Sequence, residues 1–338
     1  MENRYLNKNP IDWLLEDTDP SISYLTRKEI LVDADYYNLY DRLLESNEIR
    51  MLLKNNTDIL GNTKHFDLFY KGSMWYFAEA VERGLNKQTN AITKTAQFII
   101  NRCQTNTGGF TLNWYPPVPV ACRTGDMIKF LLRAGLNDEN IMKGIDWIAG
   151  HQRHDGGWLH CPLAGICDQL KLILFKRPGA GLKREQNPNV ASCFYATIAC
   201  SMALVEYKQI TGFNTYDHQL WKAANFFLKH SLFKTGMNTA IEPRESWNTD
   251  FRLLGYPVLS QYDILYGLIF IAKAGLINDN RTGEAFNIIM SKQNNDGSWN
   301  LENAQTGMLY GNVKRNYVGK KNKWVTLNVL RLLKYAGT

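Results

Sequence analysis

The chain has 338 residues, 45% hydrophobic and 21% charged, a composition typical of folded globular proteins that excludes disordered, collagen-like and disulfide-scaffold chains. Its net charge of +7 comes from 39 basic and 32 acidic residues spread along the sequence; without a basic run, a zinc finger or an RNA-binding aromatic motif, no nucleic-acid partner is expected, whereas an anionic small ligand is compatible. The best apolar run, 264–272, has about half the ~18 residues a membrane span needs, and the first residues lack a leader pattern, so no transmembrane segment and a cytoplasmic location are expected.

In chain order, Asp19-Pro20-Ser21 caps a helix over 22–32, and 45–59 supplies its outer mate. A segment ending AVERGLN at Gly84 follows, and its closing pattern returns as LLRAGLND at Gly135, IAKAGLIND at Gly275 and LLKYAG at Gly337. Helices of this type, over 124–134, 194–205, 264–274 and 325–335, carry large apolar residues on more than one face, as expected of inner helices buried on both sides. Between them lie amphipathic helices of a second type, each with a small residue (Ala96, Gly144, Ala285) eight positions before a glutamine. That glutamine opens a repeat, Q-x3-G-[GS]-[FW]: Gln104 to Phe110, Gln152 to Trp158 and Gln293 to Trp299. A degenerate copy, with Ala223, ends near Ser231 in KAANFFLKHSLFKTG. The glycine permits the positive φ of a helix C-terminus, and the aromatic of the turn folds back.

Alternating inner and outer helices at a period near 50 residues describe helical hairpins that must stack to bury their faces. The expectation is an all-α fold, a single domain over 1–338 in which five to six hairpins close into an (α/α) toroid around a central cavity. The irregular segment 161–189, apolar and basic at 170–178, interrupts the period and reads either as a lid or as a surface insertion; through 170–178 it offers a peripheral membrane contact.

The block Lys143-Gly144-x2-Trp147-Ile148-x3-Gln152-x3-Gly156-x-Trp158 resembles the QW repeat of squalene-hopene cyclases, whose toroid is shared by the β subunits of protein prenyltransferases. The opening DPSISYLTRKEIL and the closing KWVTLNVLRLLKYAG resemble bacterial prenyltransferase-like and squalene-cyclase-like proteins. The resemblance covers nearly the whole chain and implies a hydrophobic, isoprenoid-like ligand. The DxDD acid of class II cyclases is missing: Cys193, Phe194, Tyr195 and Ala196 stand at its place. The other DxD strings, at Asp17-Thr-Asp19 and Asp33-Ala-Asp35, read as a helix cap and a turn, and no DDxxD motif occurs. Protein prenyltransferases hold zinc through an Asp-x-Cys at an inner-helix start and a later histidine. Cys193 resembles that cysteine, but Ala191 replaces the aspartate and no histidine heads a later inner helix.

Lys71, Trp75, Arg123, Tyr262, Asp263, Lys323 and Trp324 fall near inner-helix starts, where free N–H groups favour an anion. They are the candidate substrate-binding residues, with ion pairs that merely hold the rim as the structural alternative. The six cysteines of the chain are sparse enough to read as reduced thiols. Cys122, Cys161 and Cys193 form a candidate zinc site, with Cys167, His160 or Asp168 as a fourth ligand; Cys103 and Cys200 read as core. Two functions stay open. One is an enzyme on a hydrophobic, isoprenoid-like substrate with an anionic head; the other is a non-catalytic toroid that binds a lipid, peptide or protein partner.

Overall fold

The computed structural model describes residues 5–16, 19–33, 36–54, 58–68, 71–113, 117–159, 187–234, 250–257, 259, 261–304 and 317–337. Residues 160–186, and with them Cys161, Cys167, His160, Asp168 and the 170–178 stretch, lie outside the described residues.

The chain is mostly helical. A short helix α1 (Ile11–Leu14) precedes α2 (Pro20–Leu25), which Asp19 caps by accepting from the Ile22 N–H at 3.2 Å. The helix expected over 22–32 is α only as far as Leu25. It continues as a π-helical segment, Thr26–Leu31, and ends at Val32 in the left-handed conformation (φ 55°). Its outer mate, expected as one helix over 45–59, is two: α3 (Tyr36–Glu45) and α4 (Asn47–Lys54). The Ser46 hydroxyl between them donates to the Leu43 carbonyl and accepts from the Ile49 N–H, ending one helix and starting the next. The hairpins then follow as inner α5 (Ser73–Glu82) with outer α6 (Asn90–Cys103), and α7 (Ala121–Arg133) with α8 (Glu139–Gly150). Next come α9 (Phe194–Thr211) with α10 (Asp217–Lys229), α11 (Ile264–Lys273) with α12 (Gly283–Ser291), and last α13 (Lys323–Tyr335). Two-residue strands β1 (Gly255–Tyr256) and β2 (Asn303–Ala304) pair in parallel, Gly255 opposite Asn303.

Each inner helix packs on the next, α5 on α7, α7 on α9, α9 on α11 and α11 on α13, while α13 returns to α2 and the π segment. Tyr24 of α2 lies against Gly84 at the end of α5. Inner helices buried on both sides explain why α7 and α9 are buried nearly all round. The closest approach is α7 to α9: a Cβ on Gly125 would stand 2.4 Å from the Ala199 carbonyl carbon. The buried side chains form one continuous apolar core.

The three Q-x3-G-[GS]-[FW] segments share one geometry. Phe110, Trp158 and Trp299 are fully buried, and their N–H groups donate to Thr124, Thr197 and Thr326, each the fourth residue of an inner helix, at 2.8, 3.1 and 3.0 Å. Both indole Nε1 atoms donate back to the preceding outer helix, Trp158 to the Ile148 carbonyl and Trp299 to the Ile289 carbonyl, each at 2.8 Å. The glutamine ties its turn to the next outer element. Gln104 Nε2 donates to the carbonyls of Gly108 (2.8 Å) and Asn140 in α8 (2.7 Å), and Gln152 Nε2 to those of Gly156 (2.9 Å) and Gln219 in α10 (2.8 Å).

At the third copy the N-terminal segment docks on the turn. The Asn7 N–H donates to Gln293 Oε1 at 3.0 Å, and Tyr5 packs edge-on against Phe286 at 5.2 Å. A Cβ on Gly297 (φ 83°) would meet the Lys8 carbonyl oxygen at 1.9 Å, just as one on Gly156 would meet that of Lys222 at 2.4 Å. The degenerate fourth copy keeps the turn by other means, His230 Nδ1 bonding to the Lys234 carbonyl four residues on. No described helix is long and apolar enough to cross a membrane.

Candidate functional site

The ends of the inner helices differ, and the difference places the site. Aromatic rings fill the N-terminal ends. Phe194 packs against Phe226, Phe227, Phe251, Tyr262 and the His230 imidazole at ring-centroid distances of 5.3, 5.5, 5.1, 5.1 and 5.4 Å. At the C-terminal ends long polar side chains turn inward. Counting back two from the glycines of the shared tail gives Glu82, Arg133, Lys273 and Tyr335. Counting back six from Gly135, Gly275 and Gly337, and from Gly212, which closes α9, gives Lys129, Ile269, Arg331 and Glu206. Positions four apart lie on one helical face, and all eight of these residues line one cavity of about 240 Å³. Lys28 and Glu29 of the π segment join them, with Tyr266, Asn328 and an apolar wall that includes Leu25, Val81, Phe130 and Leu259.

A chain of ion pairs runs from helix to helix around this cavity. Lys273 Nζ lies 2.7 Å from Glu206 Oε1, which Arg133 also meets through Nε (2.9 Å) and Nη2 (2.7 Å). Arg133 Nη1 reaches Glu82 at 3.0 Å; Glu82 faces Arg331 at 3.6 Å, and Arg331 Nε reaches Glu29 at 2.6 Å. Burial alone would raise the Glu206 carboxyl, but Arg133 and Lys273 outweigh it and hold its pKa at about 2. Burial likewise opposes ionisation of Glu29, and Arg331 outweighs it so that its pKa is lowered.

Ion pairs of this kind often serve packing alone. This set carries a surplus of donors. Among the described residues five cations (Lys28, Lys129, Arg133, Lys273, Arg331) face three carboxylates (Glu29, Glu82, Glu206) in the lining, with Asp126 behind Lys129 as a fourth. A guanidinium has five N–H donors and a primary amide two. Arg331 uses Nε on Glu29 and Nη1 on Asn328 Oδ1 (2.7 Å). Among the described residues nothing accepts from Arg331 Nη2 or from Asn328 Nδ2. The cavity therefore offers a fixed fork of donors to an oxyanion.

The seven candidate substrate-binding residues sit elsewhere, and none of them lines this cavity. Lys71 is exposed. The Arg123 guanidinium lies 4.6 Å over the Trp75 ring and 3.9 Å from Asp126. Trp324 stacks on Tyr256 at 4.6 Å, and Lys323 pairs with Glu16 at 3.3 Å. The Tyr262 hydroxyl donates to the Leu232 carbonyl at 2.6 Å. Asp263 caps α11, accepting from the N–H groups of Tyr266 (2.8 Å) and Gly255 (2.9 Å); burial pushes its pKa up to about 6. The structure brings Trp75 and Arg123 together, and from Trp75 to Trp324 each of these groups has a partner within the chain. Reading the tails for their glycines misses the cavity residues. The charge two positions before Gly84, Gly135 and Gly275 is the signal that points to them.

Of the expected zinc ligands, Cys122 is buried in α7 and desolvation pushes its thiol up to about 11, which holds it neutral. Cys193 is half-buried at the start of α9, its N–H donating to the Trp158 carbonyl at 2.8 Å. Cys161 lies outside the described residues, and among the described residues no group of three His, Cys, Asp or Glu is placed to hold a metal. Cys103 and Cys200 are core residues.

No protein-family model and no curated protein matches the chain. Among solved structures, 97% of the chain aligns with 85% of the Lin0763 protein from Listeria innocua, at 16% identity and a TM-score of 0.45. It also aligns over 81% of its length with 85% of the type II terpene cyclase MstE from Scytonema. The identity is 15% and the TM-score 0.28 for the apo form, against 13% and 0.28 for a point variant of that cyclase in complex with geranylgeranyl dihydroxybenzoate. Likenesses this distant carry no functional weight.

Proposed function

We propose that the chain is a terpenoid-cyclase-like (α/α) toroid, a single domain whose hairpins close around the cavity, and that it binds there a ligand bearing an oxyanion head. The observation that carries this reading is the donor fork of Arg331 Nη2 and Asn328 Nδ2, unpartnered among the described residues and set in the chain of ion pairs. Closure is supported by the return of α13 to α2 and by the N-terminal segment on the third repeat turn. An isoprenoid-like body is the finer reading. The wall of Leu25, Val81, Phe130 and Leu259 offers it a surface, but about 240 Å³ is below the ~300–1,000 Å³ of sites for drug-sized ligands, so the enclosed part of the ligand is its head and a few carbons.

Binding is favoured over cyclisation. At the place of the DxDD acids, Phe194 is packed among five rings rather than facing a cavity, and protonating an alkene requires a strong acid there. The test is calorimetric titration of the whole protein with inorganic phosphate, alongside Arg331→Gln. Saturable binding that falls at least tenfold in the variant supports the reading; no binding, or equal binding by both proteins, overturns it.

A further inference from the structure

A second group in the same cavity is built to give a hydrogen to the ligand. Lys129 of α7 is 1% exposed, and its Nζ lies 3.2 Å from Asp126 Oδ1 and 3.0 Å from the Tyr266 hydroxyl of α11. An ammonium donates and never accepts. The Tyr266 oxygen is therefore the acceptor of that bond, and its own hydrogen must point away from Lys129. Among the described residues no other group bonds to this hydroxyl. Tyr266 lines the cavity and is half-buried, so the free direction is the cavity itself. Burial alone would lower the Lys129 pKa, yet it is raised, with the Asp126 carboxylate 3.2 Å away, and the ammonium also sits 4.2 Å over the Phe130 ring.

We infer that the Tyr266 hydroxyl, oriented by Lys129, is a second anchoring point that donates a hydrogen bond to a ligand oxygen other than those held by Arg331. The inference rests on the oxyanion reading of the cavity and narrows its ligand to molecules with two oxygen-bearing acceptor groups. Tyr266 would touch the ligand. Lys129 is a positioning residue acting through it.

The test compares inorganic phosphate, with one acceptor group, and inorganic diphosphate, with two, by calorimetry on the full chain. The wild type is expected to bind diphosphate at least tenfold tighter than phosphate. A hydrogen bond to a charged partner has that order of effect, so Tyr266→Phe should bring the two affinities within about threefold of each other. Lys129→Met combined with Asp126→Asn, which strands no carboxylate, should do the same. Lys129→Arg, which keeps the cation, should retain the preference. An unchanged preference in Tyr266→Phe, or equal binding of the two anions by the wild type, overturns the inference while the oxyanion site stands. Failure of the wild type to bind either anion overturns both.

Discussion

Replacing Glu206 by glutamine tests whether the ion-pair chain around the cavity is charged and stabilising. Glu206 is the junction of that chain, taking Arg133 and Lys273 on one oxygen. Its carboxyl is held at about 2 against an ordinary 4.5. A depressed folded-state pKa contributes stability that is fully present above the unfolded value and is lost as pH falls through the folded one. The interval between those two values corresponds to about 3 kcal/mol above pH 5, at ~1.4 kcal/mol per pH unit. By the same linkage about 1.4 kcal/mol remains at pH 3. Removing one partner of a buried pair typically costs ~3–5 kcal/mol, of the same order. Urea unfolding of wild type and Glu206→Gln at pH 7 and pH 3 should therefore show a gap that narrows by about half. A gap of the same size at both values would refute the reasoning, since it would report packing and not charge.

Four further outcomes follow from the fold. Gly125→Ala should destabilise by at least ~1–3 kcal/mol through overpacking of α7 on α9, read as a drop in the denaturant midpoint; an unchanged midpoint contradicts the 2.4 Å approach. Trp158→Phe should cost about 1–2 kcal/mol, the lost indole bond to Ile148, and Trp158→Ala ~3–5 kcal/mol; equal losses would mean that the ring's packing counts for nothing beyond the bond. Deleting residues 1–9 should lower the melting temperature and expose the Gln293 turn to proteolysis, because Asn7 and Lys8 stand where another outer helix would; unchanged melting would contradict that role. Metal analysis of protein purified without chelator should find zinc well below one per chain, and stoichiometric zinc lost in Cys122→Ser would contradict the neutral, buried thiol.

The hairpin pattern was legible in the sequence because a repeat must repeat its environment: the Thr partners of Phe110, Trp158 and Trp299 fall at one register of the inner helices. Two local departures were not legible. The apolar spacing of 22–32 does not distinguish an α-helix from the π segment that turns Lys28 and Glu29 to the cavity. The docking of Asn7 depends on Gln293, 286 residues away, and no local propensity reports a contact of that range. Helix N-termini favour anions in general, which pointed to Arg123 and Lys323; in the folded chain Trp75 and Glu16 meet them first. The opposite helix ends, with their partial negative charge, collect cations for the same electrostatic reason, and among the described lining residues those cations outnumber the carboxylates.

The position of a bound oxyanion tests the central claim most directly. Crystals of the full chain soaked in tungstate, a heavy tetrahedral oxyanion, should show an anomalous peak inside the cavity, within hydrogen-bond reach of Arg331 Nη2 and Asn328 Nδ2, and the peak should vanish in Arg331→Gln. Tungstate bound only elsewhere, with the cavity free of it at saturating concentration, would contradict the account.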